Sequence, residues 1–165
     1  MIIRKAQEKD VREVSEITVE DWKTAYRGII DSGYLDSLTV ENQFQRDIRR
    51  YNEYMVAADQ KGVLGYAWNR LIDSEDADCE IVALYVRFSE RKKGIGRALL
   101  QNAADTFRKA GKKTMIIWCL KENAESRKFY EAMGGKEFKG DTHRWGDREY
   151  DMISYLYQLD DSERL

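Results

Sequence analysis

The chain has 165 residues, of which 42% are hydrophobic and 12% aromatic, enough for one folded unit over 1–165 with its own apolar core and too apolar for a disordered chain. Its 28 Lys and Arg against 30 Asp and Glu leave a formal charge of −2, so there is no global basic field for nonspecific nucleic-acid binding and any phosphate recognition must be local. The start, Met1-Ile2-Ile3-Arg4-Lys5, lacks a signal-peptide stretch, no apolar run nears the roughly 18 residues of a spanning helix, and Cys79 and Cys119 sit in apolar runs as reduced thiols do; a cytoplasmic chain without a membrane partner is the expectation.

Ile2 to Ala6 reads as a short opening strand, after which Asp10 with Glu13 three residues on has the form of a capping box. Val11, Val14, Ile17, Trp22 and Ala25 follow at nearly helical spacing until Gly28 stops the helix. Ile29 to Leu38 is expected as an ordered loop or short turn. A second helix is predicted after Thr39, because Val40, Phe44, Ile48 and Tyr51 recur on one face. The period then changes: Tyr54 to Ala58, Val63 to Leu71 and Cys79 to Val86 read as three strands joined by hairpins, the second across the acidic stretch Asp73 to Asp78. Ile95, Leu99, Ala103 and Phe107 form one row of a helix that Gly111 ends. Thr114 to Leu120 is a further strand, and Asn123 opens a helix ending at Gly134-Gly135. Two last strands, near Glu137 to Phe138 and Tyr150 to Tyr157, hinge around Gly146-Asp147.

Between the third strand and its helix lies Ser89-Glu90-Arg91-Lys92-Lys93-Gly94-Ile95-Gly96. Glycines at this handover let several backbone N–H groups converge at the positive end of the helix dipole, which suits a pyrophosphate, and Arg91, Lys92, Lys93 and Arg97 add local positive charge. A Rossmann fingerprint would need glycine where Leu99 stands, and no G-x-x-x-x-G-K-[ST] occurs. One histidine, His143, and two cysteines write no zinc pattern, so no metal is expected.

Arg91-x-x-Gly94-x-Gly96 resembles the [QR]-x-x-G-x-[GA] pyrophosphate signature of the GNAT N-acetyltransferases, and Leu84-Tyr85-Val86 resembles the strand before it. Phe88 stands where many members have proline and Lys92 where many have glycine. The resemblance implies an α/β (α+β) fold, a mixed and mostly antiparallel sheet of about seven strands with helices on both faces. It also implies acetyl-coenzyme A as cosubstrate. Leu84, Tyr85 and Val86 would meet the pantetheine arm; Arg91, Lys92, Lys93, Gly94, Ile95, Gly96 and Arg97 would hold the pyrophosphate.

Asn123 to Gly134 is similar to the family's next motif, N-x-x-[AS]-x-x-F-Y-x-x-x-G. By that resemblance Asn123 contacts the cofactor arm and the Tyr130 hydroxyl lies near the thioester sulfur, where a departing thiolate needs a proton, so Tyr130 is the candidate general acid. Phe129 and Met133 are expected to point elsewhere, into a core.

An attacking alkylamine must be neutral although its pKa is near 10. Glu80, placed by strand alternation on the side of Val82, Leu84 and Val86, is the candidate base, with a water chain as the alternative; the histone-acetylating branch of the family carries its base glutamate at this distance before the glycine loop. Trp22, Tyr26, Tyr34, Trp145 and Tyr155 are candidates for the acceptor pocket, around a small-molecule or peptide amine. The amine's identity and dimerisation stay open at this level.

Overall fold

The computed structural model describes residues 1–160; residues 161–165 of the expected unit lie outside the described residues. β1 (Ile2–Lys5) leads through a 3-10 turn into α1 (Val11–Ala25). The expected Asp10–Glu13 capping box does not form. The buried Asp10 carboxylate turns back to the Gln7 amide at 2.8 Å and takes the Arg4 guanidinium at 2.6 and 3.0 Å. Glu13 is drawn away to the Val63 amide at 3.0 Å and to Arg87 at 3.2 Å. The stretch expected as a loop contains α2 (Ser32–Ser37), capped by Asp31, and α3 (Val40–Asp47) begins as predicted after Thr39, whose hydroxyl accepts the Asn42 amide at 3.2 Å.

β2 (Tyr54–Asp59), β3 (Gly62–Leu71) and β4 (Cys79–Val86) form an antiparallel meander. α4 (Ile95–Lys109) then crosses over to β5 (Thr114–Leu120), which lies parallel to β4, the one parallel strand pair among the described residues. α5 (Ala124–Ala132) precedes the closing hairpin of β6 (Lys136–Trp145) and β7 (Arg148–Gln158). The result is an α/β (α+β) fold with a seven-stranded sheet in the order β1-β2-β3-β4-β5-β7-β6. β6 is far longer than its two expected residues. It is an edge strand exposed along both faces, so its side chains carry no apolar alternation by which to recognise it.

One face of the sheet is covered by α4 and α5, with Leu99, Leu100, Ala103, Phe107 and Met133 packed on Ile81, Met115, Ile117 and Tyr157. The other is covered by α1, whose Val14 and Ile17 meet Val56, Val63 and Tyr66. α3 is tied to α1 by a buried polar knot rather than by apolar contact alone. The Asp47 carboxylate, 0% exposed, accepts hydrogen bonds from Ser15 (2.8 Å), Gln43 (3.0 and 3.1 Å) and Tyr54 (2.7 Å), with Arg50 at 3.4 Å.

β4 carries the irregularity that shapes the site. Its register with β3 slips at Val82, so that Trp68 faces Ala83 while Asn69 faces Ile81. Such a bulge reverses the alternation of side chains beyond it. Cys79 and Ile81 therefore share the α4/α5 face with Leu84 and Val86, whereas Glu80 goes to the opposite face with Ala83 and Tyr85.

Candidate active site

β4 and β5 pair only over Cys79–Ile81 and Met115–Ile117. Beyond that they diverge and open a V-shaped cleft, with Val82 to Val86 on one wall and Ile117 to Cys119 on the other. From Val82 onward the β4 edge that faces β5 has no strand partner among the described residues, so its backbone N–H and C=O groups are available to an extended ligand. Leu84, Tyr85 and Val86 stand on this wall.

The loop at the mouth of the cleft has the conformation its glycines suggest. Lys92 and Gly94 are both left-handed, with φ of 61° and 83°, and α4 starts at Ile95, so successive amides turn inward at a helix N-terminus. A Cβ on Gly94 would meet nothing within 4 Å, so backbone conformation rather than crowding asks for glycine there. Gly96 answers a different need: its Cβ would lie 3.4 Å from the Phe129 ring and 3.7 Å from Val86, where α4 meets the wall of the cleft. Lys92, Ile95 and Arg97 line the cleft as well. Lys93 does not; its ammonium bonds Glu90 at 2.9 Å. Lys92 and Arg97 have no carboxylate partner among the described residues, while Arg91 is already paired with Asp21 from α1.

Tyr130 comes off α5 into the cleft. It is 7% exposed, its hydroxyl has no hydrogen-bond partner among the described residues, and burial, reinforced by Cys119 and Tyr157, pushes the phenol well above its ordinary pKa. A phenol so placed stays protonated across the physiological range and has a proton to donate. Asn123 caps α5, accepting the Ser126 amide at 3.2 Å and donating to the Ser126 hydroxyl at 2.8 Å, with its buried amide at the cleft wall. Phe129, expected in a core, lines the cleft beside Gly96. Cys119 lines it too, but burial raises its thiol to about 11, which leaves it without the thiolate a nucleophile needs.

Besides Lys93, the expected site residues Glu80 and Tyr155 also lie away from the cleft. Glu80 does not line the cleft; the bulge turns it to the other face, where its carboxylate takes the cross-strand Arg70 guanidinium at 2.9 and 2.7 Å. Tyr155, 0% exposed, is in the core under α5, donating to Glu131 and accepting from Arg127, each at 3.0 Å. The other acceptor candidates gather. Trp22 packs edge-on against Tyr26 (4.9 Å between ring centroids) and Trp145 (5.2 Å), with Tyr34 at 6.5 Å. The Trp22 indole donates to the Tyr85 hydroxyl at 3.0 Å, and Tyr26 reaches the cleft itself. Of this group Tyr26 lines the cleft, on its α1 side, whereas Tyr34 and Trp145 line a second pocket with Gly146 and Arg148.

Several residues at the cleft were missed from sequence, Phe129, Cys119, Trp118 and Asp21 among them. Trp118 stands between Ile117 and Cys119, which face α4 and α5, so it is on the opposite face of the sheet; the two-residue alternation of a strand was the signal. Asp21, 8% exposed and beside Arg91, had none, since a carboxylate on an amphipathic helix reads as solvated. Among the described residues no three His, Cys, Asp or Glu side chains gather as metal ligands, and no helix is long and apolar enough to cross a membrane.

Residues 11–135 match the acetyltransferase (GNAT) family. The chain is 34% identical over 134 residues to the uncharacterised N-acetyltransferase YuaI of Bacillus subtilis, an alignment covering 79% of this chain and 77% of that one. Its fold superposes with a TM-score of 0.70 on the PaiA N-acetyltransferase of Thermoplasma acidophilum in complex with coenzyme A, at 21% identity over 92% of this chain and 96% of that one. It superposes equally, at 0.70 and 23% identity over 99% and 96% of the two chains, on YncA of Salmonella typhimurium with its cofactor acetyl-CoA. An unpaired phenol in an opened sheet, an amide nest with spare cations and an extended match of sequence and fold converge: this chain belongs to the GNAT family and is an acetyl-coenzyme A dependent acetyltransferase.

Proposed function

We propose that the protein acetylates a primary amine of a small molecule or peptide by direct attack in a ternary complex. The observation that carries this reading is the free Tyr130 hydroxyl inside the V between β4 and β5. Acetyl-coenzyme A supplies the activated acyl group as a thioester. The amides from Lys92 to Gly96 and the unpaired Lys92 and Arg97 suit its pyrophosphate, and the open β4 edge suits its extended arm. Backbone N–H groups near Leu84 are placed to support a developing oxyanion. Tyr130 acts as the acid that protonates the departing sulfur.

The amine enters from the side of Trp22, Tyr26, Tyr34, Trp145 and Trp118, whose rings exclude water and can hold an alkyl chain or a cation. With Glu80 engaged by Arg70 away from the cleft, the ammonium proton leaves through water.

The test is thiol release with a panel of amines. Tyr130→Phe should lower turnover by about 10²-fold, within the range for a lost general acid, and should leave acetyl-coenzyme A affinity nearly unchanged. Equal turnover would remove Tyr130 from the chemistry.

A further inference from the structure

The Asp21 carboxylate is an anion where the cofactor reading puts another anion. It lies on α1, 8% exposed, lines the cleft, and is joined to Arg91, the arginine of the pyrophosphate loop. The other acidic contacts of α1 with this region differ. Glu13 holds Arg87 at 3.2 Å, and Glu20 takes the Phe88 amide at 3.4 Å; neither lines the cleft. They fasten the loop's entry, whereas Asp21 occupies a group the ligand needs.

The surroundings of Asp21 offer one positive partner and several negative or polar ones. Arg91 faces it from the loop, Glu20 from its own helix, Glu125 from the start of α5, and the phenols of Tyr26, Tyr85 and Tyr130 from α1's end, β4 and α5. Burial dominates and raises its carboxyl to about 6 even with Arg91 alongside. A ligand carrying two linked phosphates would draw Arg91 toward itself and add negative charge close by. Both effects disfavour ionised Asp21.

We propose that Asp21 is a placeholder anion: it holds Arg91 in the cofactor-free protein, yields it to the pyrophosphate, and takes up a proton as the cofactor binds. The inference rests on the cofactor reading above. Its sign follows from linkage. Binding raises the pKa of Asp21, so the bound state carries more protons and affinity strengthens as pH falls from 8 toward 6.

Calorimetric titration with coenzyme A in buffers of different ionisation heat, at pH 7, measures the proton uptake. The monoester phosphate of coenzyme A also titrates near 6, so dephospho-coenzyme A, which keeps the pyrophosphate, is the second probe. Wild type should take up a fraction of a proton with either probe. Asp21→Asn should lose that uptake with dephospho-coenzyme A and bind coenzyme A on the order of tenfold more tightly at pH 8, the worth of one partly buried ion pair. Binding without proton uptake by wild type, or weaker binding by Asp21→Asn, would overturn the placeholder and leave the cofactor reading standing. No heat with wild type and either probe would overturn both.

Discussion

Replacing Asp47 by alanine tests the polar knot that fastens α3 to α1. The carboxylate is wholly buried, and its loss leaves the Gln43 N–H and the Tyr54 O–H without their acceptor, in residues 9% and 1% exposed, although the Tyr54 oxygen still accepts from Arg50 at 2.6 Å. Ser15 keeps a second acceptor in the Val11 carbonyl at 2.9 Å, and Arg50 reaches solvent while stacking 4.1 Å from the Trp68 ring, so these two lose less. Two orphaned buried donors at about 1–3 kcal/mol each, together with the space left by the carboxylate, give a loss of about 3–5 kcal/mol. For a domain of this size that lowers Tm by roughly 10 °C. Differential scanning calorimetry of wild type, Asp47→Ala, Tyr54→Phe and the double variant reads both the loss and the coupling. A drop of under about 3 °C, or strict additivity of the two substitutions, would refute the account, because groups sharing one hydrogen bond must couple.

Gly94→Ala puts a Cβ on a backbone at φ 83°; with no atom within 4 Å to clash, the cost is conformational alone, about 1–2 kcal/mol. Chemical denaturation should show that loss, and the KM for acetyl-coenzyme A should rise about tenfold as the amide nest relaxes; unchanged values for both would mean the nest is not used. Glu80→Gln should leave turnover within about threefold of wild type, since a lost general base costs 10²-fold or more and this carboxylate is held by Arg70 outside the cleft. A hundredfold fall would restore Glu80 as the base.

Local signals were legible in the chain. The loop from Arg91 to Gly96 and the α5 segment from Asn123 to Tyr130 are short-range patterns, set by backbone conformation at glycines and by helical spacing, and they lead to the same cleft. Strands β2 to β4 followed from the change of period, and β5 runs from Thr114 to Leu120 as expected. Hydrophobic periodicity also placed α1 and α4, because each buries one face against the sheet, and it placed α3, although α3 docks on α1 through the buried Gln43 and Asp47 rather than through its apolar row.

Other features depended on contacts between distant segments. Counting in twos put Glu80 beside Leu84, but a bulge at Val82, created by how β4 pairs with β3, reverses the count and sends that carboxylate to the opposite face. Asp21 looked like one more charge on a helix until α1 packed against the loop seventy residues on. Tyr155 shares its residue type with the acceptor aromatics but belongs under α5, where a one-residue difference in strand position decides the face. Residue type and local spacing thus determine which elements form and which chemistry they can carry. Which side chains meet is decided by strand register and helix docking, through interactions between segments that no local pattern encodes.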